Sequence, residues 1–346
     1  MTYELTRLAD LNALPFDQII DVRSPAEFAL DHLPGAINLP VLTNNERATV
    51  GTIYVQENRF RARKIGAALV ARNAAFHLEN ALADKDGSYQ PLVYCWRGGQ
   101  RSGSFASILE KVGWRVQLLS GGYRSYRRLV ANALYDTEFS PPVVILAGNT
   151  GTAKTDLLWR LRDRGTQIID LEGLAGHRGS LFGTMPGGQP TQKTFEGALA
   201  AEIAALDPTR PVVIEAESSK VGNINLPPQL WKAMCAAPRI TIQAPLQERA
   251  RYLTRVYTEI VADQGKLLET ISKLSRLHSA DRIEQWRDYA QKGAFEQLAT
   301  GLMQHHYDPR YSKQSTEQGN DIVTLVALTP DALNLAAETL ATMVEP

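Results

Sequence analysis

The chain has 346 residues, 44% of them hydrophobic and 21% charged, which is enough for two or three domains with substantial cores. Its 37 basic and 37 acidic residues balance, which argues against polyanion binding by net charge and leaves any such partner to a local patch. The two cysteines, Cys95 and Cys235, lie in separate segments and suggest neither a disulfide framework nor a four-ligand zinc site, and a reducing cytoplasm is the expected setting. The opening Met1-Thr2-Tyr3-Glu4 lacks a basic-then-apolar signal, and no apolar run approaches the roughly eighteen residues that span a bilayer, so no membrane is expected.

A short helix is predicted first, then the strand Gln18 to Val22, then a loop returning through Pro34-Gly35. Asp21 and Arg23 at the strand's end are expected to pair and shape the loop rather than react. Residues 41 to 90 are mostly helical by pattern and carry Arg59, Arg61, Arg63 and Lys64. Such a run usually forms a solvated helix face; a phosphate-contacting patch is the functional alternative. The apolar run Pro91 to Tyr94 reads as a buried strand that stops at Cys95 and gives way to Gly98-Gly99. Two glycines let backbone N–H groups converge on the sulfur, and the following apolar segment from Phe105 predicts a helix whose N-terminus points at it. With Arg97 and Arg101 nearby, these surroundings favour thiolate over thiol. An unperturbed thiol titrates near about 8.5, so Cys95 is expected to be nucleophilic near neutral pH. Arg101 also completes Cys-x5-Arg, a spacing that can wrap an oxyanion. Arg124, Arg127 and Arg128, interleaved with Tyr123 and Tyr126, form a second basic group that keeps RNA in play.

Cys95-Trp96-Arg97-Gly98-Gly99-Gln100 resembles the active-site loop of rhodanese-type sulfurtransferases. Asp21 to Phe28 and His32 to Pro40 resemble that family's two opening motifs, and Gly121-Gly122-Tyr123 its closing turn. The resemblance covers about 130 residues and predicts a rhodanese-like parallel-sheet domain over 1–138. Its Cys-x5-Arg spacing, shared with cysteine phosphatases, suggests that a phosphate-like group sits on the loop.

Paired prolines at Pro141-Pro142 mark a connector, and 139–346 is predicted to be a P-loop α/β domain. Val143 to Ala147 leads as a strand into Gly148-Asn149-Thr150-Gly151-Thr152-Ala153-Lys154-Thr155, which looks like a phosphate-binding loop. Backbone N–H groups around Gly148, Gly151 and Thr152 would cradle phosphates, Lys154 would neutralise them, and Thr155 would reach Mg²⁺. Ala153 departs from the pattern, which has glycine there; alanine is tolerable if its dihedrals are already helical. Residues 166–172, 210–217, 240–243 and 322–326 read as further buried strands, so the sheet is expected to be parallel with its ligand at the carboxyl ends. Asp170, Glu172, Glu215 and Glu217 fall there as candidate acids, with Mg²⁺ binding, a general base and a purely structural role all open. The span from about 247 to 318 reads as helical and polar, and its His305-His306 pair as a cap or packing element rather than a metal site.

Joined, the two halves resemble the bacterial tRNA 2-selenouridine synthase family over nearly the full length. Asp170 to Ser180, Gln189 to Glu196 and Glu215-Ala216-Glu217-Ser218 carry that resemblance beyond the generic motifs. It implies a transferase acting on the wobble 2-thiouridine of tRNA, first with geranyl diphosphate and then with selenophosphate delivered by a selenophosphate-supplying enzyme. No tightly bound cofactor is implied, and Mg²⁺ is left open. Lys154 and the loop amides would hold the diphosphate. Cys95 would carry selenium as a perselenide or engage selenophosphate, with Arg97, Gly98, Gly99 and Arg101 holding the oxyanion. Arg59, Arg61, Arg63, Arg124 and Arg127 are the candidate RNA contacts. A nucleotide-dependent rhodanese-type sulfurtransferase acting on RNA is the alternative.

Overall fold

The apolar runs of the sequence become two separate parallel sheets. A computed structural model describes residues 1–311 and 320–345. The chain divides into two units, Met1–Glu138 with Pro190–Ala205, and Phe139–Gln189 with Leu206–Pro346.

The first unit holds β1 (Thr2–Tyr3), β2 (Gln18–Asp21), β3 (Ala36–Asn38), β4 (Pro91–Tyr94) and β5 (Gln117–Leu119) in the order β1-β5-β4-β2-β3. Every pairing is parallel. Such a sheet needs cover on both faces, so the central β4 is buried throughout, without alternation. Ile20, Val22, Val93, Phe105 and Leu109 close the core beneath the helices Arg59–Glu79 and Gln100–Val112. Asp21 stands opposite Tyr94 in the register, so the chain leaves both strands together, and Cys95 emerges at the carboxyl edge.

Helix Gln192–Ala205 also belongs to this unit, although the sequence boundary at 139 assigns it to the second domain. Its buried Phe195, Leu199 and Ala200 need an apolar partner, while Thr191 Oγ1 donates to the Leu30 carbonyl at 2.5 Å.

The second unit contains β6 (Val143–Gly148), β7 (Gln167–Ile169), β8 (Val212–Glu215), a small antiparallel pair β9 (Lys220–Val221) and β10 (Ile224–Asn225), β11 (Arg239–Gln243) and β12 (Asn320–Thr324). Its main sheet runs β12-β11-β6-β8-β7, again all parallel. Leu157, Leu158 and Leu161 on helix Lys154–Arg162 pack with Val213, Ile242 and Leu340. Strand β7 is shorter than the 166–172 run because Asp170 accepts from Gly173 N at 2.7 Å and starts a helix, Leu171–Ala175.

The polar span from 247 builds a second apolar core of its own around Trp286, which is 1% exposed, with Leu267, Ile271 and Leu302. Residues 312–318 of that predicted span lie outside the described residues. His306 is buried, accepting from Arg310 Nη1 at 3.0 Å and meeting His278 Nε2 at 3.0 Å, while His305 is exposed. Burial pushes His306 down to about 4, as suits a neutral packed ring. Among the described residues no helix is long and apolar enough to cross a membrane.

Candidate functional site

Each sheet ends in one loop with chemical potential. In the first unit, Cys95 follows β4 and is 3% exposed, with Gly99 N donating to its sulfur at 3.3 Å and Ser102 Oγ at 3.1 Å. Burial alone would raise the thiol. The Ser102 hydroxyl, with backbone N–H groups of Ser102, Arg97 and Gly99, outweighs that penalty and lowers its pKa. Helix Gln100–Val112 starts directly after Gly99, so its unsatisfied N–H groups face the sulfur.

Gly122 closes the loop from below. At φ 60° it adopts a conformation that side chains avoid, and a Cβ there would stand 2.3 Å from the Cys95 carbonyl oxygen and 2.6 Å from Gly98 N. Tyr123 N then donates to that same carbonyl at 2.9 Å.

The arginines differ from the expectation that both support the thiolate. Arg97 is exposed, and Arg101 reaches Glu27, Nη1 to Oε2 at 2.7 Å. Arg47 also meets Glu27, and the pair of guanidinium groups holds the Glu27 carboxyl down at about 2 despite its burial. Arg101 therefore braces the loop; the oxyanion donors nearest the sulfur are N–H groups and a hydroxyl. Asp21 and Arg23 form the expected buried pair, with Arg23 Cζ also 4.1 Å from the Tyr123 ring centroid.

In the second unit, β6 runs into the loop 148–155. Gly148 has φ 148°, and a Cβ there would lie 2.6 Å from the Ile242 carbonyl oxygen and 2.7 Å from Thr152 Oγ1. Gly151 makes the next bend, and Thr152 is buried with its hydroxyl on the Asn149 carbonyl at 2.9 Å. Ala153 corrects the expectation of helical dihedrals. It sits at φ 61°, ψ 29°, in the left-handed region where the motif has glycine, and no other described non-glycine residue has positive φ. That backbone costs about 1–2 kcal/mol, held by the packing of its buried methyl. Lys154 Nζ donates to the Gly148 carbonyl at 2.9 Å, which folds the cation over the loop.

The four acids separate into distinct roles. Asp170 caps its helix and accepts from Trp159 Nε1 at 3.0 Å. Glu172 accepts from Thr155 Oγ1 at 3.1 Å, and its N–H donates to Glu215 Oε1 at 2.7 Å. Glu215 is fully buried, its other oxygen has no partner, and burial with the Asp170 and Glu172 charges raises it well above the carboxylate range. Burial next to Glu172 likewise pushes Glu217 up to about 8, against the pull of Lys154. Glu217 thus keeps its proton near neutrality, within reach of the Lys154 charge. No described group of three or more His, Cys, Asp or Glu stands together to hold a metal.

Among the candidate RNA contacts, Arg59, Arg61, Arg63 and Arg124 are exposed. Arg59 lies 5.6 Å from the Tyr54 ring, Arg61 pairs with Glu57, and Phe60 is exposed beside them. Arg127 is a correction. It forms an ion pair with the buried Glu196, which also accepts from Tyr135 Oη at 2.7 Å, so it fastens helix Gln192–Ala205 instead of facing solvent. Tyr123 and Tyr126 are buried too and cannot stack on bases. Sequence reasoning missed Ser102, Glu27 and Glu196 as determinants. Ser102 was visible as a hydroxyl in the first turn after the glycines, whereas both glutamates reach their partners only through folding.

The comparisons with known proteins divide the chain between 129 and 141, so the second family model spans residues 190–205 that pack with the first unit. A family model described as Rhodanese-like domain matches residues 4–129, and one described as tRNA 2-selenouridine synthase AAA domain matches 141–269. The tRNA 2-selenouridine synthase of Pseudomonas syringae pv. syringae (strain B728a) is 31% identical, with 88% of this chain and 89% of the relative covered. That of Aeromonas salmonicida (strain A449) is 31% identical over 92% and 94%. That of Chromohalobacter salexigens is 38% identical over 74% and 69%. With both domain models matched in order and relatives aligned over most of their length, the chain belongs to the tRNA 2-selenouridine synthase family.

Proposed function

We propose that this chain converts the wobble 2-thiouridine of tRNA to 2-selenouridine through an S-geranyl intermediate, using geranyl diphosphate and then selenophosphate. The observation that carries the reading is that a chain of this family has an activated thiol in one unit and a lysine-bearing anion loop in the other.

In the first step the thiouridine sulfur attacks C1 of the geranyl group. The C1–O bond breaks, diphosphate leaves, and the base loses its N3 proton. Lys154 and the amides of 148–155 stabilise charge developing on the leaving group, which is positioning and electrostatics rather than nucleotide hydrolysis. Glu172, held against the loop by the Thr155 hydroxyl at 3.1 Å, is the base that takes up the proton. Thr155 Oγ1 and Glu172 are hard oxygen donors that suit Mg²⁺, which binds through one or two such groups plus phosphate and water. When bound, it would neutralise diphosphate charge.

In the second step Cys95 engages selenophosphate. Selenium there is already at the selenide level, so an S–Se bond to a thiolate would require an oxidant. Attack of the Cys95 thiolate on phosphorus balances without one: the S–P bond forms, the P–Se bond breaks and hydroselenide leaves. Hydroselenide then displaces geranylthiol at C2 of the base, and water releases phosphate from Cys95. Gly99 N and the Ser102 hydroxyl stabilise the thiolate that attacks.

The tRNA is held by phosphate contacts from exposed cations including Arg59, Arg61, Arg63 and Arg124. A duplex stem contributes a salt slope of about −0.9 per phosphate neutralised, so affinity should fall steeply with salt. The test is to incubate the protein with a 2-thiouridine anticodon stem-loop and geranyl diphosphate, then with selenophosphate, and weigh the nucleosides after each. A geranyl increment followed by its exchange for selenium supports the reading. Nucleotide consumption coupled to sulfur transfer, with no geranyl product, overturns it in favour of a nucleotide-dependent sulfurtransferase.

A further inference from the structure

Beside the phosphate loop, the helical part of the second unit encloses an apolar cavity that the two-step chemistry has not yet used. It holds about 590 Å³ of empty space, open in part to solvent, with Thr150, Phe182, Leu253, Tyr257, Phe295 and Ala299 among its walls. Among the described residues lining it, none carries a charged, amide or imidazole side chain.

Three observations join this cavity to the loop. Thr150 is at once a residue of the loop and a wall of the cavity. Arg249, on the helix Leu246–Val256 that carries Leu253, donates from Nη1 to the Thr150 carbonyl at 3.1 Å and is itself anchored by Asp308. The hydroxyl of Tyr257 feels the charge of Glu172, the residue that accepts from Thr155. A molecule with an anionic head on the loop amides therefore finds an apolar space starting one residue away.

We infer that this cavity holds the ten-carbon chain of geranyl diphosphate, so that its walls set chain length while Lys154 and the loop hold the diphosphate. The inference rests on the transferase reading above. A nucleotide is the poorer occupant, because the edges of a purine or pyrimidine require hydrogen-bond partners and the walls offer few beyond isolated hydroxyls. A branched hydrocarbon needs none, and its transfer from water into such a space is favourable in proportion to the area buried. The polar sequence of 247–311 is explained in the same way: most of its described charged residues, Arg249 excepted, are at least partly exposed, while its apolar minority lines a core and a cavity.

The test compares affinities of the full chain for inorganic pyrophosphate, dimethylallyl, geranyl and farnesyl diphosphates by calorimetry. With the tail buried, geranyl diphosphate should bind about a hundredfold or more tighter than pyrophosphate. Ala299→Trp, which fills the cavity, should erase that difference and leave pyrophosphate affinity intact, which also shows that the loop has folded. Phe295→Ala, which enlarges it, should move the preference toward the farnesyl chain. Equal binding of geranyl diphosphate and pyrophosphate by the unaltered protein overturns the inference. So does an Ala299→Trp protein that keeps the full tail-dependent gain. Should Ala299→Trp lose pyrophosphate binding as well, Phe295→Ala decides: an unchanged order of chain lengths overturns it. Tail-dependent binding without transfer to RNA would overturn the transferase reading alone and leave the cavity assigned.

Discussion

The two loops solve opposite electrostatic problems with the same architecture. Both leave the carboxyl end of a central parallel strand and enter a helix N-terminus, β4 into Gln100–Val112 and β6 into Lys154–Arg162. The first surrounds a buried thiol with N–H and hydroxyl donors and lowers its pKa; the second sets Lys154 near Glu217, and burial raises both Glu217 and Glu215. The backbone differs in the same sense. The thiol loop uses glycines at its positive φ positions, whereas the phosphate loop keeps one strained alanine. Donor-rich surroundings favour a thiolate, and burial near a lysine-bearing loop lets a carboxyl keep its proton. The fold supplies the place, and a few side chains decide the chemistry.

The comparison breaks most visibly if the two loops do not act separately. Lys154→Ala should lower geranyl transfer by about 10²–10³-fold, as for loss of one transition-state charge partner, while Cys95→Ala leaves geranylation intact and abolishes selenium incorporation. Nucleoside mass spectrometry of each step reads both effects, and equal losses in both steps would contradict a division of labour. Next in size is Gly122→Ala. A Cβ pressed on the Cys95 carbonyl at positive φ should destabilise the protein by about 3 kcal/mol or more, seen as an early urea transition.

Ser102→Ala tests how the thiol is tuned. It removes the hydroxyl that favours the thiolate, so the pH midpoint of Cys95 alkylation should move up and the neutral-pH rate fall by about tenfold, the value of one charge-assisted hydrogen bond. An unchanged pH profile would assign the shift to the backbone amides alone.

On the other side stands Glu217, whose folded pKa of about 8 exceeds its ordinary 4.5. The folded protein keeps a proton that the unfolded chain loses, so the stabilisation is complete below 4.5 and is lost as pH rises through about 8. The slope in that window is on the order of 1 kcal/mol per pH unit. Glu217→Gln should flatten this part of the stability profile; a profile identical to the unaltered protein's would show that Glu217 is ionised throughout. The smallest effect belongs to Ala153→Gly. Relief of the left-handed strain, offset by glycine's greater unfolded-state entropy and the lost methyl contacts, should change stability by less than about 1 kcal/mol while anion affinity is retained.

Much of this was legible along the chain. The two parallel sheets, the loops at their ends, Cys95, Lys154 and the acids could be read locally, because a buried strand followed by glycines and a helix is a contiguous pattern. The places where reading along the chain misled share one cause. Arg101 and Arg127 stand among cations and aromatics in sequence, yet Glu27 and Glu196, 74 and 69 residues away, claim them. Ala153 follows from a loop closure that no window of neighbours reports.

By itself, then, the sequence determined which strands, loops and reactive groups the chain would possess, since propensity, periodicity and motif spacing act over a few residues. Only the tertiary structure decided which charges were already spent, that residues 190–205 join the first unit, and that a polar helical stretch encloses an apolar cavity next to Thr150. Those outcomes depend on pairings between distant segments, and the free energy of burying a charge or an apolar side chain is defined only once its neighbours have been brought to it.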